Sequence, residues 1–60
     1  MRIYEEIVAH HKVELNNKIA DFHAQYPVVY GVVQGQPYRF TNDEGESMWA
    51  VKMGRFRSAD

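Results

Sequence analysis

Residues 3–25, IYEEIVAHHKVELNNKIADFHAQ, decide how the rest of the chain is read. At 100° per residue, Tyr4, Ile7, Val8, Leu15, Ile19 and Phe22, with Tyr26 just beyond, fall within an arc of about 120°. The spacing predicts one amphipathic helix from about Ile3 to Gln25. Glu14 and Lys18 form a favourably oriented i,i+4 pair on it. Pro27 ends it, because the residue before a proline is pushed toward extended backbone. A helix of that length runs to about 35 Å, whereas strands of five to seven residues span about 17–23 Å. The helix is therefore expected to overhang its sheet and to cover the surplus with a second copy or a partner.

Working outward, Val28–Gln34 is rich in β-branched residues and carries no charge, Gly35 offers a turn, and Pro37–Thr41 resumes an extended pattern. Asn42-Asp43-Glu44-Gly45 reads as a type I turn with a bulge, leading to a last strand over Ser47–Gly54. The expected fold is α+β: one long N-terminal amphipathic helix packed on a three-stranded antiparallel β-meander. It forms a single domain over residues 1–60, with a tail at 55–60. A four-residue turn sets Tyr38 opposite Trp49, with Phe40, Val51 and Met53 on the helix side and Arg39, Met48, Ala50 and Lys52 on the other. Val28, Tyr30 and Val32 then join Met48 and Ala50 on an outer face that is apolar for a sheet meeting water.

Sixty residues bury only about 60% of the surface that the unfolded chain exposes, and such a core supplies about 3–5 kcal/mol. The chain has no cysteine, so disulfides and thiolate metal sites are excluded and association becomes the expected reinforcement. Hydrophobic residues make up 45% and charged residues 25%, a globular balance rather than a disordered one. No apolar run is long enough to span a membrane. The start lacks the apolar stretch of a secretory signal, which points to a soluble cytoplasmic protein. A net charge of −1 argues against bulk attraction to nucleic acid and against mimicry of DNA, since both need strong charge of one sign.

Four small or medium apolar residues, Ala9, Val13, Ala20 and Ala24, lie opposite the main stripe and form a second seam suited to a helix-to-helix dimer. With Val28 and Val32 on the sheet they are the expected oligomer interface. Glu6, His10 and Glu14 follow one another at i,i+4, but one helix supplies too few ligands for a tetrahedral site, so no metal or cofactor is expected. His11 falls inside the apolar arc, where a buried ring needs a hydrogen-bond partner and becomes a candidate ligand contact. Lys18, in the same arc, is expected to carry its ammonium past the sheet edge.

Thr41, Ser47 and Ser58 sit in no nucleophile motif, and no glycine opens a helix as a phosphate loop does, so catalysis is not expected. Lys52, Arg55 and Arg57, interleaved with Met53 and Phe56 and joined by Arg39 across the hairpin, form a candidate phosphate-binding cluster. Tyr30 completes the candidate binding residues on the outer face. Trp49 is expected to pack with Tyr38 and Phe40 beneath the helix. The functional expectation is a small, self-associating binding protein without catalysis, of a size common among phage or mobile-element inhibitors of host factors, with a protein or small ligand as partner. The alternative is a nucleic-acid-binding regulator using the basic cluster.

Overall fold

The computed structural model describes residues 2–56. Strand β1 runs Arg2–Ala9, helix α1 Lys12–Gln25, a 3₁₀ turn Val28–Tyr30, then β2 Val33–Gln34, β3 Tyr38–Thr41 and β4 Ser47–Phe56. The class is α+β, with one helix and an antiparallel sheet of four strands rather than three.

The expected helix over residues 3–25 divides in two. Four of the eight residues of Arg2–Ala9 are β-branched or aromatic (Ile3, Tyr4, Ile7, Val8), the types that suit a pleated surface. The segment pairs along its whole length with β4, from Arg2 opposite Phe56 to Ala9 opposite Trp49. The chain turns at His10 and His11, and His11, in extended backbone, is the N-cap of α1 without a side-chain capping bond. The helix that remains runs about 21 Å at 1.5 Å per residue, while the ten residues of β4 span about 33 Å. The sheet outruns the helix, reversing the expected overhang.

Leu15, Ile19 and Phe22 form the buried stripe of α1 and close on Ala9, Val51 and Met53, with Ile7, Tyr26, Val32 and Trp49 around them. The helix ends where expected: the Tyr26 N–H returns to the Phe22 carbonyl at 2.8 Å and Pro27 follows. Val28–Gln34 is not one strand. Its first half is the 3₁₀ turn, stopped at Gly31 in left-handed backbone with φ of 62°, and only Val33 and Gln34 join the sheet.

Strand β4 is central. Residues of β1 line one side of it, and β2 and β3 share the other. Between Val33, opposite Gly54, and Tyr38, opposite Ala50, the edge chain advances five residues while β4 runs back four. Gly35-Gln36-Pro37 therefore carries one extra residue, a bulge in which a proline without an N–H is tolerated.

The Gly35 N–H donates to the Lys52 carbonyl at 2.9 Å, so even-numbered residues of β4 turn their backbone groups toward β2 and β3, and odd-numbered ones toward β1. By the alternation of an antiparallel ladder, Ile3, Glu5, Ile7 and Ala9 bond to β4, while the backbone groups of Arg2, Tyr4, Glu6 and Val8 point out of the sheet. The Lys18 ammonium donates to the Val8 carbonyl at 2.7 Å, as that geometry requires, and reaches the sheet edge as its sequence position suggested.

The second hairpin closes through Asp43-Glu44-Gly45. Gly45 has φ of 81°, and its N–H reaches the Asn42 carbonyl at 3.0 Å. Asn42 Oδ1 accepts the Glu44 and Glu46 N–H groups, each at 2.9 Å. The Asn42 N–H meets the Glu46 carbonyl at 3.0 Å, so three residues lie between the last paired positions. This odd loop shifts β3 by one residue from the expected register: Tyr38 faces Ala50, and Arg39 faces Trp49. A shift of one exchanges the two faces of a strand. Trp49, Val51 and Met53 lie on the helix side as expected, but Tyr38 and Phe40 move to the outer face and Arg39 comes in.

Candidate binding surface

The face away from α1 is built from the even-numbered residues of β1 and β4 and their neighbours. Across β4 it reads, in successive rows, Arg2 and Phe56, then Tyr4, Gly54 and Val33, then Glu6 and Lys52, then Val8, Ala50 and Tyr38, then Met48 and Phe40. Where the central strand carries its two small residues, Gly54 and Ala50, larger side chains flank it on the edge strands. A Cβ on Gly54 would come within 2.8 Å of Val33 Cγ2 and 2.9 Å of Tyr4 Cε1, so these two side chains close over the glycine. The Tyr38 hydroxyl donates to Glu6 Oε2 on the far edge strand, which carries its ring across the sheet; Ala50, with no helix above it, is wholly buried. That hydrogen bond, with smaller contributions from burial and the Glu6 charge, raises the Tyr38 pKa above its ordinary value. The Tyr38 and Phe40 rings lie 6.2 Å apart, and the Arg2 guanidinium sits 4.9 Å from the centre of the Phe56 ring.

These aromatic side chains stand where a second layer would lie, yet they remain open to solvent. Tyr4 is 59% exposed, Val33 and Tyr38 43%, and Phe56 41%. Rings with a polar tip suit a surface that is wet in one state and covered in another.

The residues expected to bind do not gather on this face, apart from Lys52. Tyr30 leaves the sheet altogether: it continues an aromatic series from Phe22 through Tyr26, its ring 5.6 Å from that of Tyr26 and nearly perpendicular to it. Arg39 lies on the helix side, donating to Ser47 Oγ at 2.6 Å. Its guanidinium and the Lys12 ammonium stand 5.4 Å and 4.8 Å from the centre of the half-buried Trp49 ring. Arg55 also faces the helix side. Its side chain is only 12% exposed, 3.6 Å from Glu5 and 4.0 Å from the Tyr26 ring centre, with its Nε buried and without a hydrogen-bond partner. Arg57, like Ser58, lies outside the described residues. The three described cations thus occupy three separate surroundings. His11 is exposed at the start of α1 rather than inside the core.

The expected seam is divided as well. Ala9 is a strand residue buried beneath the helix, while Val13, 71% exposed, and Ala20 and Ala24 stay on the open side of α1. Val28 is exposed in the 3₁₀ turn, and Val32 packs against the core instead of facing outward. Glu6 belongs to β1 and His10 to the turn that follows it, so neither shares a helix with Glu14. Tyr4, Val33, Tyr38, Phe40 and Phe56 were missed as outer-face residues. The signal for Tyr38 and Phe40 was the glycine at the third loop position, which implies an odd loop and the opposite register. No helix among the described residues is long and apolar enough to cross a membrane. Comparison with protein-family models, with curated proteins and with solved structures finds no match to this chain.

Proposed function

We propose that this chain is a small, non-catalytic, cytoplasmic binding protein that self-associates and meets a macromolecular partner through the open face of its sheet. The observation that carries this reading is the one-sidedness of the fold: α1 covers one face, and on the other Tyr4, Val33, Tyr38 and Phe56 stand exposed, with Phe40 half-buried beside them. Exposed apolar and aromatic side chains gathered on one face of a small domain mark an interaction site, and tyrosine and phenylalanine are enriched in such interfaces. A protein partner is favoured over nucleic acid because Arg39, Lys52 and Arg55 point to different surroundings and Arg55 is committed to Tyr26 and Glu5. Inhibition of a host factor, as by small phage or mobile-element proteins, is the use of such a surface that this size of chain suggests.

Two measurements test the reading. Light scattering across a dilution series should return a mass above that of the 7.0 kDa chain at micromolar concentration. In parallel, partners captured by the parent should be lost from a doubly substituted Val33→Ser, Phe56→Ser chain and retained by Val13→Ser on the helix side. A monomer at every concentration, or equal capture by all three, overturns it. Retention on DNA or RNA that weakens steeply with salt would favour the basic residues instead.

A further inference from the structure

The two edges of the sheet are built differently. On the β2–β3 side the ladder is interrupted by the Gly35–Pro37 bulge, and a broken, proline-bearing edge resists pairing with another chain. The β1 edge has no such device over most of its length: eight residues without glycine, proline or bulge. Its outward backbone groups belong to Arg2, Tyr4, Glu6 and Val8, and the last of these carbonyls is taken by Lys18 at 2.7 Å. The free template is therefore Arg2 to Glu6.

We propose that β1 pairs with β1 of a second copy of this chain, antiparallel, about a two-fold axis at Tyr4. This rests on the self-association reading and names its contact. Only registers that set even residues opposite even residues bring outward groups together. Among them, an axis at Glu5 places the two Glu5 side chains face to face, and an axis at Glu6 does the same for Glu6; like charges directly opposite are unfavourable. An axis at Tyr4 sets Arg2 opposite the partner's Glu6, twice by symmetry, and Tyr4 opposite its own copy. That register ends where the Lys18 cap on Val8 begins. It exchanges six backbone hydrogen bonds, two between the Tyr4 residues at the axis and two between Arg2 and Glu6 at each end. Because all even residues share the outer face, the pairing also joins the two tyrosine-bearing faces into one.

The test uses the full chain in sedimentation velocity. Arg2→Glu alone opposes two glutamates on each side of the axis, and Glu6→Arg alone opposes two arginines, so each should weaken self-association by at least about 10-fold. Mixed in equal amounts, the two variants should form a heterodimer of near-parental affinity, because every pair across the axis is again of opposite sign. Tyr4→Pro, which removes both N–H donors at the axis, should weaken the dimer about 30-fold, the equivalent of two hydrogen bonds at about 1 kcal/mol each. A parent dimer that is unaffected by the single charge reversals, or variants that do not recover on mixing, overturns the β1 contact and leaves self-association standing. A parent that is monomeric throughout removes both. If Tyr4→Pro fails to fold, the mixing experiment decides.

Discussion

Proline at Ile7 and at Val8 should have opposite consequences. The two positions are adjacent, both half-buried, and both would be helix interior if residues 3–25 formed one helix. In the sheet they differ: Ile7 bonds to Val51 on β4, whereas the Val8 N–H points away from the ladder. Each proline is compared with alanine at the same site, so that side-chain loss cancels. Ile7→Pro removes a hydrogen bond of about 1 kcal/mol and leaves the buried Val51 carbonyl without its donor, a further 1–3 kcal/mol or so. The sum, about 2–4 kcal/mol, approaches the whole stability of a domain of this size, about 3–5 kcal/mol. Val8→Pro loses no ladder bond, keeps the carbonyl that Lys18 caps, and follows a residue already extended, as a proline requires; its cost should stay within about 1 kcal/mol. Val8 also lies outside the proposed dimer register, so association does not disturb the comparison. Urea unfolding followed by far-ultraviolet circular dichroism measures both. In a helix interior each proline would cost about 3 kcal/mol, so equal and severe losses at both sites would refute the strand assignment and the pairing parity together.

Two further outcomes follow from the side chains. Absorbance titration of tyrosinate should show one of the four tyrosines ionising above the ordinary range near pH 10, and Glu6→Gln should bring it back, because the Tyr38 pKa is raised chiefly by its hydrogen bond to Glu6. A group whose folded pKa is raised contributes stability that is fully present below its unfolded pKa and lost as pH rises through the folded one, so this contribution disappears on the alkaline side. Lys52→Ala, on an exposed position, should change stability by no more than about 0.5 kcal/mol. Arg55→Ala should cost about 1–2 kcal/mol, since it removes a largely desolvated guanidinium from the Tyr26 ring together with its packed stem. Equal effects in thermal or urea unfolding would show that Arg55 is not committed to the fold.

Much of the fold was legible where the local pattern had only one solution. Leu15, Ile19 and Phe22 repeat at helical spacing, and Pro27 stops them. Asn42 and Gly45 specify their turn, and Val51 and Met53 alternate toward the core. The start of α1 was not legible because His11 offers no capping oxygen, and Ser, Thr, Asp or Asn at that place is the usual mark of a helix start. Without it, Tyr4, Ile7 and Val8 blended into the helical arc, although their β-branched and aromatic character favours a strand. Glu5 and Glu6, good helix formers, strengthened the wrong period, and Glu5 on the helix side of β1 spoiled the alternation that would have shown the right one. The outer face carries large apolar and aromatic side chains, but through other residues than expected and with Arg2, Glu6 and Lys52 among them: Val28, Tyr30 and Val32 gave way to Tyr4, Val33, Tyr38, Phe40 and Phe56. One residue counted into the Asn42–Gly45 loop separates the two readings of β3.

The central place of β4 governs the order in which this molecule can come into being. Synthesis proceeds from β1 toward β4, yet among the described residues β1 has no hydrogen-bonded neighbour strand except β4, and neither do β2 and β3. Arg2 pairs with Phe56, the first described residue with the last. Until the last strand has left the ribosome, α1 has only half its floor and no ladder exists for it to stabilise. Contacts this distant in sequence are closed at a large entropic cost before they return anything, so folding should be slow for a chain of this length and should proceed as one cooperative step. A chain that stops short of β4 retains one short helix and unpaired strand segments, which makes the ten residues of β4 the point at which a nascent polypeptide becomes a protein.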